Sequence, residues 1–236
     1  MRARLGAVVV AAAACVLGLG SPARAGEECK GLAICIALTG PWVVVPAGSG
    51  SAPTYWELRC PRRDMIVAGL DADVGDRRMA LEFFGALGGP IGPGVTTSDR
   101  VVFAATYTGT ARRPTTFRPR IGCIPTSGGG RETTGLTAAA SQRAAPRPLR
   151  RVRMVRLGAS PAGTLTQRCR PGEHLISSSA ALAFARKRPP DLALMQTISL
   201  TRRVSGDVVL VTVSAEGRLP SGAGPRLQIH AVCGRR

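Results

Sequence analysis

Two cysteine spacings of nearly equal length constrain the fold of this chain most strongly. Cys60 and Cys123 are 63 residues apart, and Cys169 and Cys233 are 64 residues apart. After Cys60 and after Cys169, four turn-type residues with an acid in the fourth place lead into an apolar run. Self-similarity at a fixed spacing is typical of a duplicated structural unit. The spacing therefore predicts that one β unit occurs twice.

The similarity extends beyond the cysteines. Val43 and Val152 each lie 17 residues before the first cysteine of their copy, and each begins a run of strand-forming residues. Residues 81–84 match 192–195, and residues 101–106 match 208–213. We expect a first β unit at 41–124 and a second at 151–236, as two tandem domains or as two halves of one pseudo-symmetric domain. The linker between them, 125–150, is rich in Gly, Ser, Ala, Pro and Arg, a composition that buries little apolar surface.

The chain reads as short strands separated by glycine and proline loops, without a sustained helical period. Residues 54–60 show the pattern, with Trp56, Leu58 and Cys60 on one face and Tyr55, Glu57 and Arg59 on the other. Strands are also predicted over 192–200 and in both cysteine-terminated segments, and a helical turn is conceivable over 180–187. Regular short strands of this kind are typical of sandwiches and barrels. The predicted fold class is all-β, with two tandem disulfide-stapled sandwich-like or barrel-like units.

Residues 1–25 resemble a secretory signal peptide. Arg2 and Arg4 precede an apolar stretch of Ala, Val and Leu, and Ala23 and Ala25 flank a small-residue cleavage site. The apolar stretch is shorter than the ~20 residues that span a bilayer. We expect a secreted or periplasmic protein with no transmembrane segment after signal removal. The alternative is a lipoprotein modified at Cys15.

The remaining six cysteines allow fifteen pairings. If the two units pair alike, the bridges are Cys60–Cys123 and Cys169–Cys233, which leaves Cys29–Cys35 as a local loop in the segment 26–40. A zinc site is not indicated, because no Cys-x-x-Cys motif occurs and the only histidines are His174 and His230. Disulfide-bonded cysteines also agree with an exported chain, because disulfides persist in oxidising compartments.

Arginine dominates the charge. The sequence has a formal net charge of +18, and removal of the signal's three arginines lowers it to +15. Codon bias of a GC-rich genome explains arginine in place of lysine but not the excess of positive charge, which suggests an anionic partner. The candidate anion-binding residues are Arg112, Arg113, Arg147, Arg150, Arg151 and Arg153. Nucleic acid is disfavoured because Phe184 is the one aromatic residue after position 120, so a base-stacking platform is lacking. Anionic glycan or lipid head groups fit better.

Acidic residues are few, and one cluster stands out. Asp71, Asp73 and Asp76 are a weak calcium candidate, since hard oxygen ligands hold calcium, but the neighbouring arginines favour ion pairs instead. No cofactor is expected, because the chain has neither a phosphate loop nor a dinucleotide fingerprint. We expect a non-enzymatic binding or structural module of the bacterial cell envelope. The alternative is an envelope glycan hydrolase that uses carboxylates of the first unit, such as Asp73 and Glu82.

Overall fold

The computed structural model describes residues 27–30, 32, 34–47, 52–85, 98–110, 113–126 and 148–235. The predicted signal peptide and most of the predicted linker lie outside these residues. The described chain is almost entirely β-structure. Its strands are β1 (Ile36–Thr39), β2 (Trp42–Val45), β3 (Thr54–Arg59), β4 (Met65–Val74), β5 (Met79–Gly85), β6 (Arg100–Tyr107), β7 (Thr115–Pro125), β8 (Leu149–Arg156), β9 (Ala162–Arg168), β10 (Glu173–Phe184), β11 (Ile198–Ser205), β12 (Val208–Ala215) and β13 (Pro225–Arg235). A 3-10 helix (Glu27–Cys29) precedes them, and one α-helix, α1 (Leu192–Thr197), lies before β11. Among the described residues, no helix is long and apolar enough to span a membrane.

Seven strands form one antiparallel sheet, called here the central sheet. β1 and β2 lie end to end along one side of β7, interrupted at Gly40 and Pro41, while β4 pairs with the other side of β7. β2 then pairs with β10, β10 with β13, and β13 with β8. The β2–β10 ladder, in which Val43 lies opposite Ala183, joins the first unit (β1 to β7) to the second (β8 to β13). The sheet is thus continuous across both units.

Two smaller sheets accompany the central sheet. The first side sheet has the order β3-β6-β5, and the second has the order β11-β12-β9. Each contributes to a separate apolar core that it shares with the central sheet. Ala181 and Ala183 of β10 belong to the first core, whereas Leu182 and Phe184 of the same strand belong to the second. Because successive residues of a strand point to opposite faces, the two cores lie on opposite faces of the central sheet.

The two units have the same pattern of strand pairing. In each, a middle strand of the side sheet (β6 or β12) pairs with the strand that precedes the first cysteine (β3 or β9). In each, the strand that carries the second cysteine (β7 or β13) pairs with a long bulged strand (β4 or β10). The bulge lies beside Cys123 in one unit and beside Cys233 in the other.

All three predicted disulfides are present. Cys60 is bonded to Cys123, Cys169 to Cys233, and Cys29 to Cys35. The two long bridges connect each side sheet to the central sheet, and their four cysteines are buried in the cores. The bridges therefore fasten the two layers of each unit together.

The prediction of a strand over 192–200 is wrong for its first six residues. Leu192–Thr197 form α1, and the Asp191 carboxylate caps it by accepting a hydrogen bond of 2.8 Å from the backbone N–H of Leu194. Asp is a favoured N-cap residue and the following Leu, Ala, Met and Gln are good helix formers. The proposed match of 192–195 with 81–84 fails with it, because the pairing partner that corresponds to β5 is β11. Conversely, the conceivable helical turn at 180–187 is strand as far as Phe184.

Glu57 is the exception to the alternation predicted for 54–60. Trp56, Leu58 and Cys60 are buried as predicted, and Trp56 is fully so. Glu57, expected on the outer face, is only 6% exposed. The outer face of β3 is covered at Glu57, because Gln228 of β13 in the second unit packs against it. No local pattern in β3 indicates this contact. The units are therefore joined through side chains as well as through the β2–β10 ladder.

Candidate anion-binding site

A cleft lined by six arginines lies where the two units meet, and we call it the arginine cleft. Its volume is about 470 Å³. It is lined by Arg59, Arg100, Arg150, Arg151, Val152, Gln167, Arg168, Cys169, Arg170 and Pro171. No acidic residue is among these lining residues. Like charges gathered around a concavity raise the local concentration of the opposite ion.

Strand ends bring the arginines together. Arg59 is the last residue of β3 and Arg168 the last of β9, and each immediately precedes the first cysteine of its unit. Arg100 begins β6, while Arg150 lies near the start of β8. The backbone N–H groups of Cys60 and Cys169 donate to the carbonyls of residues 99 and 207, which anchors both cysteine turns. The cleft is thus built on sheet ends stapled by the two long disulfides.

The side chain of Arg150 contacts residues of both units. Its guanidinium lies 4.8 Å from the centroid of the Tyr55 ring, and its Nη1 is 3.3 Å from Nδ1 of His230. A guanidinium can only donate, so Nδ1 accepts and Nε2–H of His230 donates to Oε1 of Gln228 at 2.7 Å. Burial lowers the pKa of Arg150 below its ordinary value. Burial, helped by the nearby guanidinium, lowers the pKa of His230 to about 3, so the imidazole is neutral at physiological pH.

Arg151 is the arginine most fully neutralised. Its Nε donates to Oε2 of Glu173 at 2.8 Å and its Nη2 donates to Oε1 of the same carboxylate. The backbone N–H of Arg170 donates to that carboxylate at 2.9 Å. The hydrogen bonds from Arg151, then that from Arg170, lower the pKa of the Glu173 carboxyl to about 2, and the pairing raises the pKa of Arg151. The side chains of this pair are 17% and 11% exposed, so the pair is shielded from solvent.

The other arginines of the cleft retain an excess of charge. Arg59 pairs with Glu57 at 3.1 Å and Arg100 with Asp99 at 3.0 Å. The exposed Arg168 forms no ion pair or side-chain hydrogen bond within the described part of the chain. Three carboxylates therefore face six guanidinium groups. Each guanidinium presents a fork of N–H donors that matches carboxylate, sulfate or phosphate oxygens.

The structure gathers only part of the predicted anion-binding set. Arg150 and Arg151 line the cleft. Arg153 is exposed on β8, but its Nη1 donates to the Thr166 carbonyl at 2.7 Å and it does not line the cleft. Arg113 is exposed just before β7 and is likewise not a lining residue. Arg112 and Arg147 lie outside the described residues.

Four cleft arginines were missed by the sequence analysis: Arg59, Arg100, Arg168 and Arg170. A signal for two of them was present, since Arg59 and Arg168 occupy the same position relative to the first cysteine of each unit. The densest local run of arginines lies instead at the end of the linker. The cleft depends on residues that are far apart in sequence, so no window of the chain contains it.

The three carboxylates of the calcium candidate have separate partners. Asp71 accepts a hydrogen bond from the backbone N–H of Ala72, and Asp73 pairs with Arg120. Asp76 accepts two hydrogen bonds from the Arg78 guanidinium, one from the Arg78 backbone N–H and a fourth from the Tyr107 hydroxyl, and the bonds from Arg78 above all lower its pKa well below the usual range. Within the described residues, the one group close enough for a shared metal is Cys169, Glu173 and Cys233, and its sulfurs are joined in a disulfide.

The carboxylates named for glycoside cleavage are not brought together. Leu70 and Ala72 of β4 face the first core, so Asp73 lies on the outer face of the central sheet. Leu81 and Phe83 of β5 also face that core, so Glu82 lies on the outer face of the first side sheet. The core separates the two side chains, and they cannot flank one glycosidic bond.

The comparisons with known proteins add no relative. No protein-family model matches the chain, and neither does any curated protein or solved structure.

Proposed function

We propose that this protein is an exported, non-enzymatic binding module of the bacterial cell envelope, and that the arginine cleft contacts an acidic glycan. The observation that carries the proposal is the set of six guanidinium groups around one concavity with three carboxylate partners. Export is proposed from the signal-like residues 1–25 and agrees with three disulfides, which persist in oxidising compartments.

The polar lining of the cleft favours a glycan over a lipid surface. A membrane presents a broad plane, which basic residues contact best from a flat or convex face with apolar side chains to insert. Here the arginines line a shallow cleft of about 470 Å³, and the lining contains few apolar residues, such as Val152 and Pro171. A carboxylate, sulfate or phosphate that projects from a sugar chain can lie against these arginines and accept bidentate hydrogen bonds.

We further propose that the two units are copies of one sandwich-like β unit. Support comes from the shared strand pairing, the bulges beside Cys123 and Cys233, and the matching bridges. On this view Arg59 and Arg168 are equivalent residues, and both line the cleft. The duplication then supplies two guanidinium groups to one site.

The test measures binding of the full exported chain to a sulfated glycan, heparin, by titration calorimetry at several salt concentrations. We expect binding that weakens steeply with salt, because ionic contacts release counterions. The double variant Arg168→Gln/Arg170→Gln should bind at least about tenfold more weakly, since each lost charge-assisted hydrogen bond contributes about 1.5 kcal/mol or more.

A matched control separates the cleft from the overall charge. Arg203→Gln/Arg218→Gln removes the same two charges from exposed positions that do not line the cleft. This control should reduce affinity only slightly. Equal losses in both double variants would refute the cleft as the binding site, and stronger binding to anionic vesicles than to heparin would assign the surface to lipid instead.

A further inference from the structure

A second, half-open pocket lies beside the arginine cleft, and we call it the interface pocket. Its volume is about 450 Å³, within the range of about 300–1,000 Å³ that is usual for ligand sites. Both units line it, and its lining includes Thr39, Leu58 and Arg59 from the first unit and Val152, Met154 and Arg226 from the second. Arg59 and Val152 also line the arginine cleft. The two concavities therefore adjoin one another where the units meet.

Strand β8 forms a wall of both concavities. The side chains of Arg150, Val152 and Met154 point to the same face of the central sheet, because alternate residues of a strand share a face. Of the two concavities, Arg150 lines only the cleft, Val152 lines both, and Met154 lines only the interface pocket. The next residue on this face is Arg156. The face thus has the order basic, apolar, apolar, basic, over about 20 Å of strand between Arg150 and Arg156.

A pair of arginines lies at the end of the interface pocket that is remote from the cleft. Arg226 of β13 is directly opposite Arg156 of β8 in the ladder. Neither side chain forms an ion pair or hydrogen bond with any other residue that the structure describes. Like charges on directly opposite residues destabilise a strand pair. An anionic group bound between the two guanidinium groups would remove this repulsion.

The middle of this face suits an uncharged group that has both apolar and polar surface. Met154 is apolar yet 47% exposed, and Val152 beside it is half-buried. Thr39 adds a hydroxyl group to the same pocket. Glu57 is the one acid in the lining, but it is only 6% exposed and its carboxylate is bound by Arg59. A neutral sugar matches this environment, since its C–H face can pack on apolar side chains and its hydroxyl groups can form hydrogen bonds.

We propose, on the basis of the proposed function, that the arginine cleft and the interface pocket together bind an acidic glycan in which charged and neutral sugars alternate. One acidic group lies against the cleft arginines. The neutral sugar that follows packs against Val152 and Met154, and the next acidic group binds between Arg156 and Arg226. A glycan with a charge on every sugar would instead place an anion against the apolar side chains of the pocket, which cannot form hydrogen bonds with it.

NMR of the full exported chain with methyl-labelled methionine tests this arrangement. The probe is a hyaluronan hexasaccharide, in which glucuronate alternates with the neutral N-acetylglucosamine. The Met154 methyl signal should move when the hexasaccharide is added, because the neutral sugar packs against this side chain. The methyl signals of the buried Met65 and Met79 should stay in place.

Two variants measure the contribution of the interface pocket to hexasaccharide affinity by titration calorimetry. Met154→Ser removes apolar contact without a change of charge and should weaken binding about threefold. Arg226→Gln removes a charge-assisted hydrogen bond and should weaken binding about tenfold. The matched controls are Val204→Ser and Arg203→Gln, at exposed positions of β11 that do not line either concavity, and both should bind nearly like the wild type.

Heparin binding separates a failure of the alternating order from a failure of the proposed function. A wild-type chain that binds neither heparin nor the hexasaccharide would refute both. Suppose instead that heparin binds and that Arg168→Gln/Arg170→Gln weakens it, so that the cleft is sustained. In that case, a hexasaccharide that does not bind, an unmoved Met154 signal, or pocket variants that bind like their controls would each refute the alternating order alone.

Discussion

The side-chain amide of Gln228 forms with Glu57 both hydrogen bonds that a neighbouring strand would form. Its Oε1 accepts from the backbone N–H of Glu57 at 2.6 Å, and its Nε2 donates to the Glu57 carbonyl at 3.1 Å. Glu57 lies on β3, an edge strand of the first side sheet, and Gln228 lies on β13 of the second unit. A buried edge needs such a partner, since unpaired backbone groups inside a protein are costly.

Replacement of Gln228 by Leu should destabilise the protein by about 2–4 kcal/mol, because two buried backbone groups of Glu57 lose their partners at about 1–2 kcal/mol each. Urea unfolding measures the loss, and hydrogen exchange at the Glu57 amide should accelerate. Gln196→Leu, at an exposed position of α1, is the control and should be nearly neutral. A Gln228→Leu variant as stable as wild type would show that the amide does not secure the edge.

Glu173 should make stability depend on pH in the acid range. Its pKa falls from an ordinary value near 4.5 to about 2 in the folded protein, because Arg151 and the Arg170 N–H bind its carboxylate. The unfolded chain then binds more protons between these values, so this contribution is complete above about pH 5 and is lost as the pH falls towards 2. The difference in unfolding free energy between wild type and Glu173→Gln should therefore shrink over that window. A difference that is constant from pH 7 to 2.5 would contradict it.

His230 should produce a second dependence at higher pH. Burial lowers its pKa from 6.5 to about 3. Between pH 6.5 and pH 3, His230 is therefore protonated in the unfolded chain but neutral in the folded chain. Stability is full above about pH 6.5 and falls as the pH decreases. In His230→Gln, the slope of unfolding free energy against pH between 4.5 and 6 should decrease by close to one proton. An unchanged slope would mean that the imidazole titrates normally and is not buried.

The disulfides should differ in their contribution to the free energy of unfolding. In the chain-entropy model, the Cys169–Cys233 bridge, with a sequence separation of 64, contributes about 4 kcal/mol, whereas Cys29–Cys35, with a separation of 6, contributes about 2 kcal/mol. Paired Cys→Ser variants, compared by urea unfolding, should follow this order. Equal losses from the two bridges would show that loop length does not determine their effect.

The β class and the three bridges could be predicted because they depend on local signals. Strand-forming runs, turn residues and cysteine spacing are all visible along the chain. The strands predicted from them at β3, β7 and β13 are present. The helix at 192–197 was missed because an apolar run of that length suits a strand or a helix equally, and the Asp191 cap was the deciding feature. Glu57 was misplaced for a different reason: its environment is made by Gln228, 171 residues away.

A concentration of arginines on the surface was predictable from the composition, but its position was not. An excess of arginine pointed to an anion, and Arg150 and Arg151 do lie in the cleft. Arg59 and Arg100 join them only because the first side sheet packs across the second unit. Long-range packing of this sort leaves no mark on periodicity or spacing. The strand pairing had to be known first.

The alternation of residues along β10 has a consequence for how the gene can change. One face of that strand closes the first core and the other face closes the second. A fragment that encoded either half alone would leave apolar side chains in water and would be prone to precipitation or proteolysis. Recombination that separates the halves should therefore be selected against, and the pair is expected to be inherited as one indivisible length of sequence.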